Sequence, residues 1–466
     1  MSARIVLSSL FTLFSTLCCC IRSDFPLPND SKIRIISTKL NIIFWVLLCP
    51  EAVLLWATRQ WFEAGEVAKE FQCEWCQITR ISLFQCPTDR GWTRRHGLFL
   101  LMGGFVLCDK DGQPSKTLSF PHFSLLVRQK FIDFPQLTSL DIQERSNLHP
   151  TFALIALIQA TWFVAQCLSR LISANMTGAV VTQLEAITAI LVISNWCIFF
   201  FAWKKPLDTQ CHILLKNHST LHDRGLPRGR LIQVDDAFEI EQNLSRSQIT
   251  ERRFQLESPH SQSPSLSKSI TALRLTRHSF VSAILWPLQA IFFDMCRFIP
   301  PDRDDAFQFP DGTLHIPLFY VPNTVFQPVF CLPAAVLGMG VSIAGLVFVL
   351  RSGSTFQSFS QKAQVAWRIA AIISTSFSAL TLGVIILINV LFLSTFLFDL
   401  RYSSMKFVDQ CSFVCVTILY CTLVIGFAPF LLARFVLVVV SVISLGSVQG
   451  EAFVGRSWTD YIPHFS

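Results

Sequence analysis

Charge is what this sequence has least of. Only 15% of its 466 residues are Asp, Glu, Lys or Arg, against roughly a quarter in an average soluble chain. So few charges do not cover an ordinary globular surface, which excludes a string of soluble domains as the main architecture. Long runs of like charge are absent, and the net charge of +7 is spread along the chain. With no zinc-finger, RGG or RNP-like pattern either, nucleic acid is excluded as an expected partner. A P-loop, a G-x-S-x-G elbow, an H-E-x-x-H helix and a Rossmann glycine fingerprint are all missing. The chemistries those motifs carry go with them.

Apolar residues take the place of charge: 52% are hydrophobic, with 43 Phe and 11 Trp. A membrane-spanning helix needs about 20 mostly apolar residues. Charge-free runs of that kind occupy 151–169, 186–203, 329–350, 369–398 and 410–433. Residues 40–58 form another, interrupted by Glu51 beside Pro50, and 279–293 is a shorter one containing Pro287. The run 5–21 reads as a first span or a signal peptide, and the Cys18, Cys19 and Cys20 triplet at its end fits palmitoylation or plain burial. The expected fold is an all-α membrane protein, a bundle of about eight transmembrane helices (about seven if the first is a signal peptide), with a small α+β cytosolic segment.

Along the chain this divides into 1–21 as first helix or signal peptide, 40–58 as a transmembrane helix, and 59–150 as a cytosolic segment. A helical hairpin over 151–203, a partly disordered cytosolic loop over 204–277 and a four-helix region over 278–434 follow. The last part, 435–466, reads as an interfacial segment and tail. Within 59–150, residues 62–71 look helical and LFLLMGGFVL before DKDG reads as a β-hairpin, since Asp-Gly supplies a tight turn. Thr138 and Asp141 have capping-box spacing. The Ser-rich stretch 258–269 buries little and reads as disordered. Lys204 and Lys205 abut a helix end in a basic loop, which marks the cytosolic side. Parity then puts both termini in the cytosol, and Lys32, Arg34 and Lys39 outside, against the charge rule. Sequons stand at Asn29, Asn175, Asn217 and Asn243.

Ionisable groups inside apolar runs are the first candidates for function, because lipid burial of charge is costly. Glu185 shares a helical face with Thr188 and Asn195, while Gln159, Gln166 and Arg170 form a stripe on the preceding helix. Arg170 and Glu185 can meet as a structural ion pair that fixes packing, or line a cavity. Glu51 is either a buried acid useful in catalysis or an interfacial carboxylate. Catalytic roles are assigned to neither beyond naming Glu51 and Glu185 as candidates. Arg94, Arg95 and His96 could contact a phosphate or a lipid headgroup, or form a membrane-proximal basic cluster. The acidic groups Asp235, Asp236 and Glu239, and Asp302, Asp304 and Asp305, could hold Mg²⁺ but sit in polar loops.

Most of the sixteen cysteines lie in apolar runs as small hydrophobes, among them Cys49, Cys167, Cys197, Cys331, Cys411, Cys415 and Cys421. Cys73 and Cys76 form a C-x-x-C near Cys86, and a zinc site there would need His96 or Cys108 as well. No metal and no cofactor is expected.

Several blocks recur in one order: PLPND (26–30), LCPE (48–51), WATRQ (56–60), GWTRRHGLFLLMGGF (91–105), DIQERS (141–146), WFVAQCLSR (162–170), TQLE (182–185), WKKPLD (203–208) and WTDYIPHF (458–465). In these the chain resembles a large group of fungal multi-spanning integral membrane proteins of unknown function. The resemblance implies a membrane protein and no activity. Departures occur at Asn147–His149, in the insertion over 73–86 and at Val440, where the group usually carries a Glu.

Three function classes remain. The first is a receptor-, channel- or transporter-like bundle in the lipid bilayer that binds a small apolar ligand or solute among its helices. Next is a membrane enzyme on a lipid-soluble substrate such as an isoprenoid, and last a membrane scaffold.

Overall fold

The longest apolar runs form helices. This is a computed structural model describing residues 9–17, 22, 24–26, 32–79, 92–108, 114–128, 131–146, 150–177, 183–206, 212–216, 321, 328–351, 361–399, 425–441 and 443. Helix α1 covers 9–17, α2 Lys32–Leu48 and α3 Pro50–Thr79. Three short helices follow, α4 Arg94–Leu101, α5 Phe120–Arg128 and α6 Ser139–Glu144. The rest are α7 Pro150–Thr177, α8 Gln183–Ala202, α9 Leu332–Arg351 after a 3₁₀ turn at Pro328–Cys331, α10 Gln361–Asp399 and α11 Ile425–Ser441. Thr151–Ser169, Glu185–Ala202, Val329–Val347 and Gln364–Val390 are each long and apolar enough to cross a membrane. They coincide with four of the expected runs. The expected segment 279–293 and the first part of 410–433, residues 410–424, lie outside the described residues, while 425–433 belongs to α11.

The run 40–58 is not one helix. Its chain breaks at Cys49, where α2 and α3 meet at a bend of 115°. Proline explains the position, since it has no N–H to donate and is at home in the first turn of a helix. Pro50 therefore starts α3 and closes α2. A bend beyond a right angle turns the chain back on itself. Around this break Ile42, Trp45, Val46, Cys49, Val53 and Leu54 are buried together with residues of α8, α9, α10 and α11.

Beyond its first turns α3 leaves the bundle and enters a second core. Ala64, Val67 and Phe71 pack there with Trp92, Phe99, Phe105, Phe120 and Phe123, and the Phe71 and Trp92 rings lie 4.7 Å apart. Strands β1 (Phe105–Cys108) and β2 (Pro114–Thr117) pair antiparallel, as the Asp-Gly signal predicts. LFLL, expected in the same hairpin, belongs to α4 instead. Its Gly97 explains why: a Cβ there would lie 2.3 Å from the Ala64 carbonyl oxygen, so α4 is laid directly on α3. The Thr138–Asp141 capping box forms, with Asp141 N–H donating to Thr138 Oγ1 at 3.2 Å and Thr138 N–H to Asp141 Oδ2 at 2.7 Å. A third strand, β3 (Ile213–Lys216), comes from the next loop and pairs parallel to β1, giving the order β2-β1-β3.

The segment after α1 belongs to the same end of the molecule as this α+β unit. Phe25 N–H donates to the Met102 carbonyl at 3.1 Å, and its ring meets Phe99 at 5.0 Å. Arg22 Nη1 donates to the carbonyls of Ala202 at 2.6 Å and Trp203 at 2.8 Å, and to that of Lys205, capping the unpaired acceptors that end α8. Lys205, read from the sequence as a basic marker at a helix end, is buried: its Nζ is 3.3 Å from Asp24 Oδ1 and 4.2 Å above the Trp56 ring. Burial lowers its pKa, and Asp24 pulls it back up. Residues 22–25 thus lie against the α+β unit and the end of α8. The run 40–58, expected as one helix, is divided between α2 and α3.

Gly97→Ala is expected to destabilise the protein by about 1–3 kcal/mol through overpacking on the Ala64 backbone. Gly345→Ala, whose Cβ meets nothing within 4 Å, should leave the denaturation midpoint unchanged or raise it.

Candidate functional site

Small residues bring α9 and α10 together. On α9 these are Ala334, Gly338 and Ser342, spaced by one helical turn each, and on α10 Ala371, Ser374 and Ser378. Such faces let helix backbones approach closely and leave hydroxyls to bond across the contact. Ser342 Oγ lies 2.8 Å from Ser378 Oγ and 3.3 Å from Ser374 Oγ. Thr375 Oγ1 donates to the Ser342 carbonyl at 3.1 Å.

Into this seam come two charges. Arg434 on α11 donates from Nη2 to Ser342 Oγ at 2.9 Å and to Glu51 Oε1 at 3.2 Å. Glu51 stands in the first turn of α3, where a carboxylate is favoured by the positive end of the helix. Gly338 makes room for it, since a Cβ there would approach the Glu51 Cγ to 3.3 Å. Both side chains are mostly buried, 11% and 15% exposed. Glu51 Oε2 and Arg434 Nε have no hydrogen-bond partner.

The pair lies halfway along the bundle. Phe62 of α3 stacks on Phe330 at 4.1 Å, which fixes a level near the α+β unit. From there Glu51 is eleven residues back along α3 and Ser342 twelve residues on along α9. At about 1.5 Å per residue both lie about 17 Å deeper. Ser342 and Arg434 each fall near the middle of their helices.

A cavity opens on either side of this layer. One, of about 70 Å³, is lined by Glu51, Cys49, Cys331, Gly338, Ser378 and Phe430 among others. The second, of about 60 Å³, is lined by Arg434, Ser342, Ser374, Ile187, Val349 and Trp367 among others. The first includes residues near the Phe330 level, and the second those further from the α+β unit. Glu51 faces one and Arg434 the other.

The other expected residues are placed differently. Glu185, Thr188 and Asn195 are buried on one face of α8 as expected, with Asn195 Nδ2 donating to the Leu191 carbonyl at 3.0 Å. On α7 the buried stripe is Ala153, Ala156, Ala160, Phe163 and Cys167, while Gln159 is exposed. Small residues win that contact because they admit a closer helix. The Arg170 side chain lies outside the described residues, so its pairing with Glu185 is not described. His96 is buried: its Nδ1 accepts the Thr93 N–H at 3.1 Å, and its Nε2–H donates to the Leu137 carbonyl at 3.0 Å. Both ring nitrogens are engaged within the protein. Arg95 donates to the Ser139 carbonyl at 3.0 Å and to Gln143 Oε1 at 2.8 Å, and Arg94 lies 3.6 Å over the Trp61 ring. The two acidic clusters, Cys86 and the Cys73 and Cys76 side chains lie outside the described residues. Among the described residues no three metal-ligating side chains converge.

Sequence reasoning marked Glu51 but missed Arg434, which it took as a boundary between two apolar segments. Helix α11 runs straight through it. The available signal was isolation: Arg434 is the lone Asp, Glu, Lys, Arg or His between Asp409 and Glu451.

These features define a bundle of long apolar helices with a buried charged pair at a chain break, joined to a small α+β unit. Residues 3–223, a little under half of the chain, match the model of a family of unknown function (DUF8562). That stretch holds α1 to β3, and so Glu51 but not Arg434. No curated protein and no solved structure matches the chain.

Arg434→Met alone is expected to cost about 3–5 kcal/mol of stability by leaving Glu51 buried without its counter-charge, while Glu51→Gln with Arg434→Met together should be close to neutral. A double-mutant cycle on denaturation midpoints measures this. For His96, burial lowers the pKa below 6.5, against the opposing effects of the Leu137 bond and Asp141 and with help from Arg95. The unfolded chain then binds the proton first, so stability should decline as pH falls below about 6.5. His96→Gln should flatten that slope in a pH series of melting curves.

Proposed function

We propose that this chain is a multi-pass membrane protein whose helix bundle binds a small solute at the level of Glu51 and Arg434. The observation that carries the reading is a buried, hydroxyl-supported ion pair midway along apolar helices, with a cavity on each side. Polar groups at membrane depth are costly and generally mark solute or ion paths. Solute sites of many transporters lie near the bilayer midplane, where helices are interrupted, and the α2–α3 break supplies that interruption. The outer faces suit lipid, with Ile155, Ile158, Trp162, Phe200, Val347, Ile372 and Ile386 exposed.

In this reading α2 and α3 are a re-entrant pair, both arms directed to the cytosolic α+β unit. Five residues separate Pro26 from Lys32, a reach of about 20 Å, so α2 begins near that unit. Lys32, Arg34 and Lys39 then join the other basic loops on the cytosolic side, which removes their conflict with the charge rule. A cavity of about 70 Å³ is well below the roughly 300–1,000 Å³ of pockets that enclose drug-sized ligands. This supports a solute of few atoms over an isoprenoid.

The protein should stay in the membrane pellet after alkaline carbonate extraction. In sealed vesicles, cysteines introduced singly at Lys32 and Lys69, with native reactive cysteines replaced, should label with an impermeant thiol reagent from the same side. Labelling of Lys32→Cys from the opposite side would overturn the re-entrant arrangement, and carbonate release would overturn the membrane reading.

A further inference from the structure

The reading of a solute site leaves the chemistry of the solute open, and the arrangement of charge around the cavities narrows it. Glu51 lines the cavity nearer the α+β unit. Arg434 lines the other. Oε2 of the carboxylate and Nε of the guanidinium have no hydrogen-bond partner, the Cys49 thiol approaches Glu51, and the Arg434 side chain is only 11% exposed. The pair is therefore not saturated by its present partners. Spare acceptors and donors at a buried site are costly unless something satisfies them.

Opening this pair is strongly constrained. A simple anion could replace Glu51 on Arg434, but it would strand the Glu51 carboxylate in a low-dielectric interior. A simple cation on Glu51 would strand Arg434 in the same way. Breaking one side of a buried pair leaves an uncompensated charge, which is the costly outcome. A solute carrying both charges replaces both partners at once and leaves the net charge of the site unchanged.

Building on the solute-binding reading, we propose that the Glu51–Arg434 pair is the closed state of a site for a small zwitterionic amino acid. The solute's ammonium takes Glu51, and its carboxylate takes Arg434. Geometry matches the chemistry on each side. Arg434 Nε and Nη2 lie on one edge of the guanidinium, the side-on fork that binds a carboxylate through two parallel bonds. Glu51 offers Oε2 to the ammonium, and Ser342, which accepts from Arg434 at 2.9 Å and meets Ser378 at 2.8 Å, supplies hydroxyls beside the guanidinium.

Side-chain selectivity follows from the walls. Ala334, Ala335 and Gly338 are small, and Phe377, Phe427 and Phe430 are apolar. With cavities of about 70 Å³ and about 60 Å³, glycine and alanine fit this chemistry, and a long charged side chain does not. No bond is made or broken; the exchange is one of ionic partners. The two native thiols Cys49 and Cys331 line the Glu51 cavity, so they report on its occupancy.

The test uses the full-length protein in lipid nanodiscs, with glycine, L-alanine, L-lysine, acetate, methylammonium and an acetate–methylammonium mixture as probes. Two readouts are taken: the thermal midpoint, and peptide-resolved labelling of Cys49 and Cys331 by a small thiol reagent. Glycine or L-alanine should raise the midpoint and slow labelling several-fold, while acetate, methylammonium and L-lysine should not. The variant carrying Glu51→Gln and Arg434→Gln together removes both charges without stranding either. It should keep the wild-type circular dichroism spectrum and lose the response.

An equal response in that double variant would overturn the proposal, as would no response to glycine or L-alanine in the wild type. If acetate or methylammonium alone acts as strongly as L-alanine, the zwitterion site is wrong while a solute-binding bundle stands.

Discussion

The contact between Glu51 and Arg434 is the constraint around which the bundle is arranged. One partner stands at the first turn of α3 and the other in the middle of α11, 383 residues apart in the chain. Neither charge is tolerable in that interior without the other. Holding them together requires the α2–α3 break, which puts a helix start inside the bundle. It also requires the small face of α9, which clears space at Gly338 and offers the Ser342 hydroxyl. The close approach of α9 and α10 involves the same serine that binds the guanidinium, since Ser342 also meets Ser374 and Ser378. Packing and polarity are thus one arrangement, and two cavities remain where small side chains and a broken helix leave space.

A second polar cluster joins the bundle to the α+β unit. Arg22 closes the end of α8, Asp24 neutralises the buried Lys205, and Phe25 enters the aromatic core beside Phe99. Helix α3 passes through both cores, with Glu51 at one end and Phe71 further along. Strand β3 adds a hydrogen-bonded link from the loop after α8. Displacement of the α+β unit would therefore be felt at the Glu51 end of α3 through a continuous helix. The unit's rigidity rests on stacked aromatic rings and two capping boxes, and in one of them His96 takes the place usually held by an acid.

Much of this was legible from local pattern. Four long apolar runs became helices where their composition put them, because about 20 apolar residues with internally bonded backbone have few other stable forms. The Thr138–Asp141 box and the β1–β2 hairpin are set by neighbours in sequence. Glu51 stood out because a charge in an apolar run is rare. Arg434 carried the same mark, yet was taken as a boundary, because hydropathy windows end at charges whether or not the helix does. Of the Gln159 stripe, Gln159 is exposed and Gln166 half-buried, since polarity marks a face without saying which residues pack. Lys205 shows the reverse: a lysine after a helix normally faces water, and only Asp24 and Trp56 make its burial tolerable.

Sequence by itself determined the elements: which stretches are apolar enough to be long helices, and how few charged groups lie among them. Those are local properties, governed by backbone hydrogen bonding and side-chain transfer over a few turns. Tertiary structure alone decided the partners. That Glu51 meets Arg434, that Ser342 and Ser378 support them, and that β3 extends the hairpin depend on contacts between residues far apart in the chain. Such pairings are selected by the packing of whole helices, and no local pattern specifies which distant charge will fill a given space. The scarcity of charge pointed to the interior, and the fold determined which of its few charges meet there.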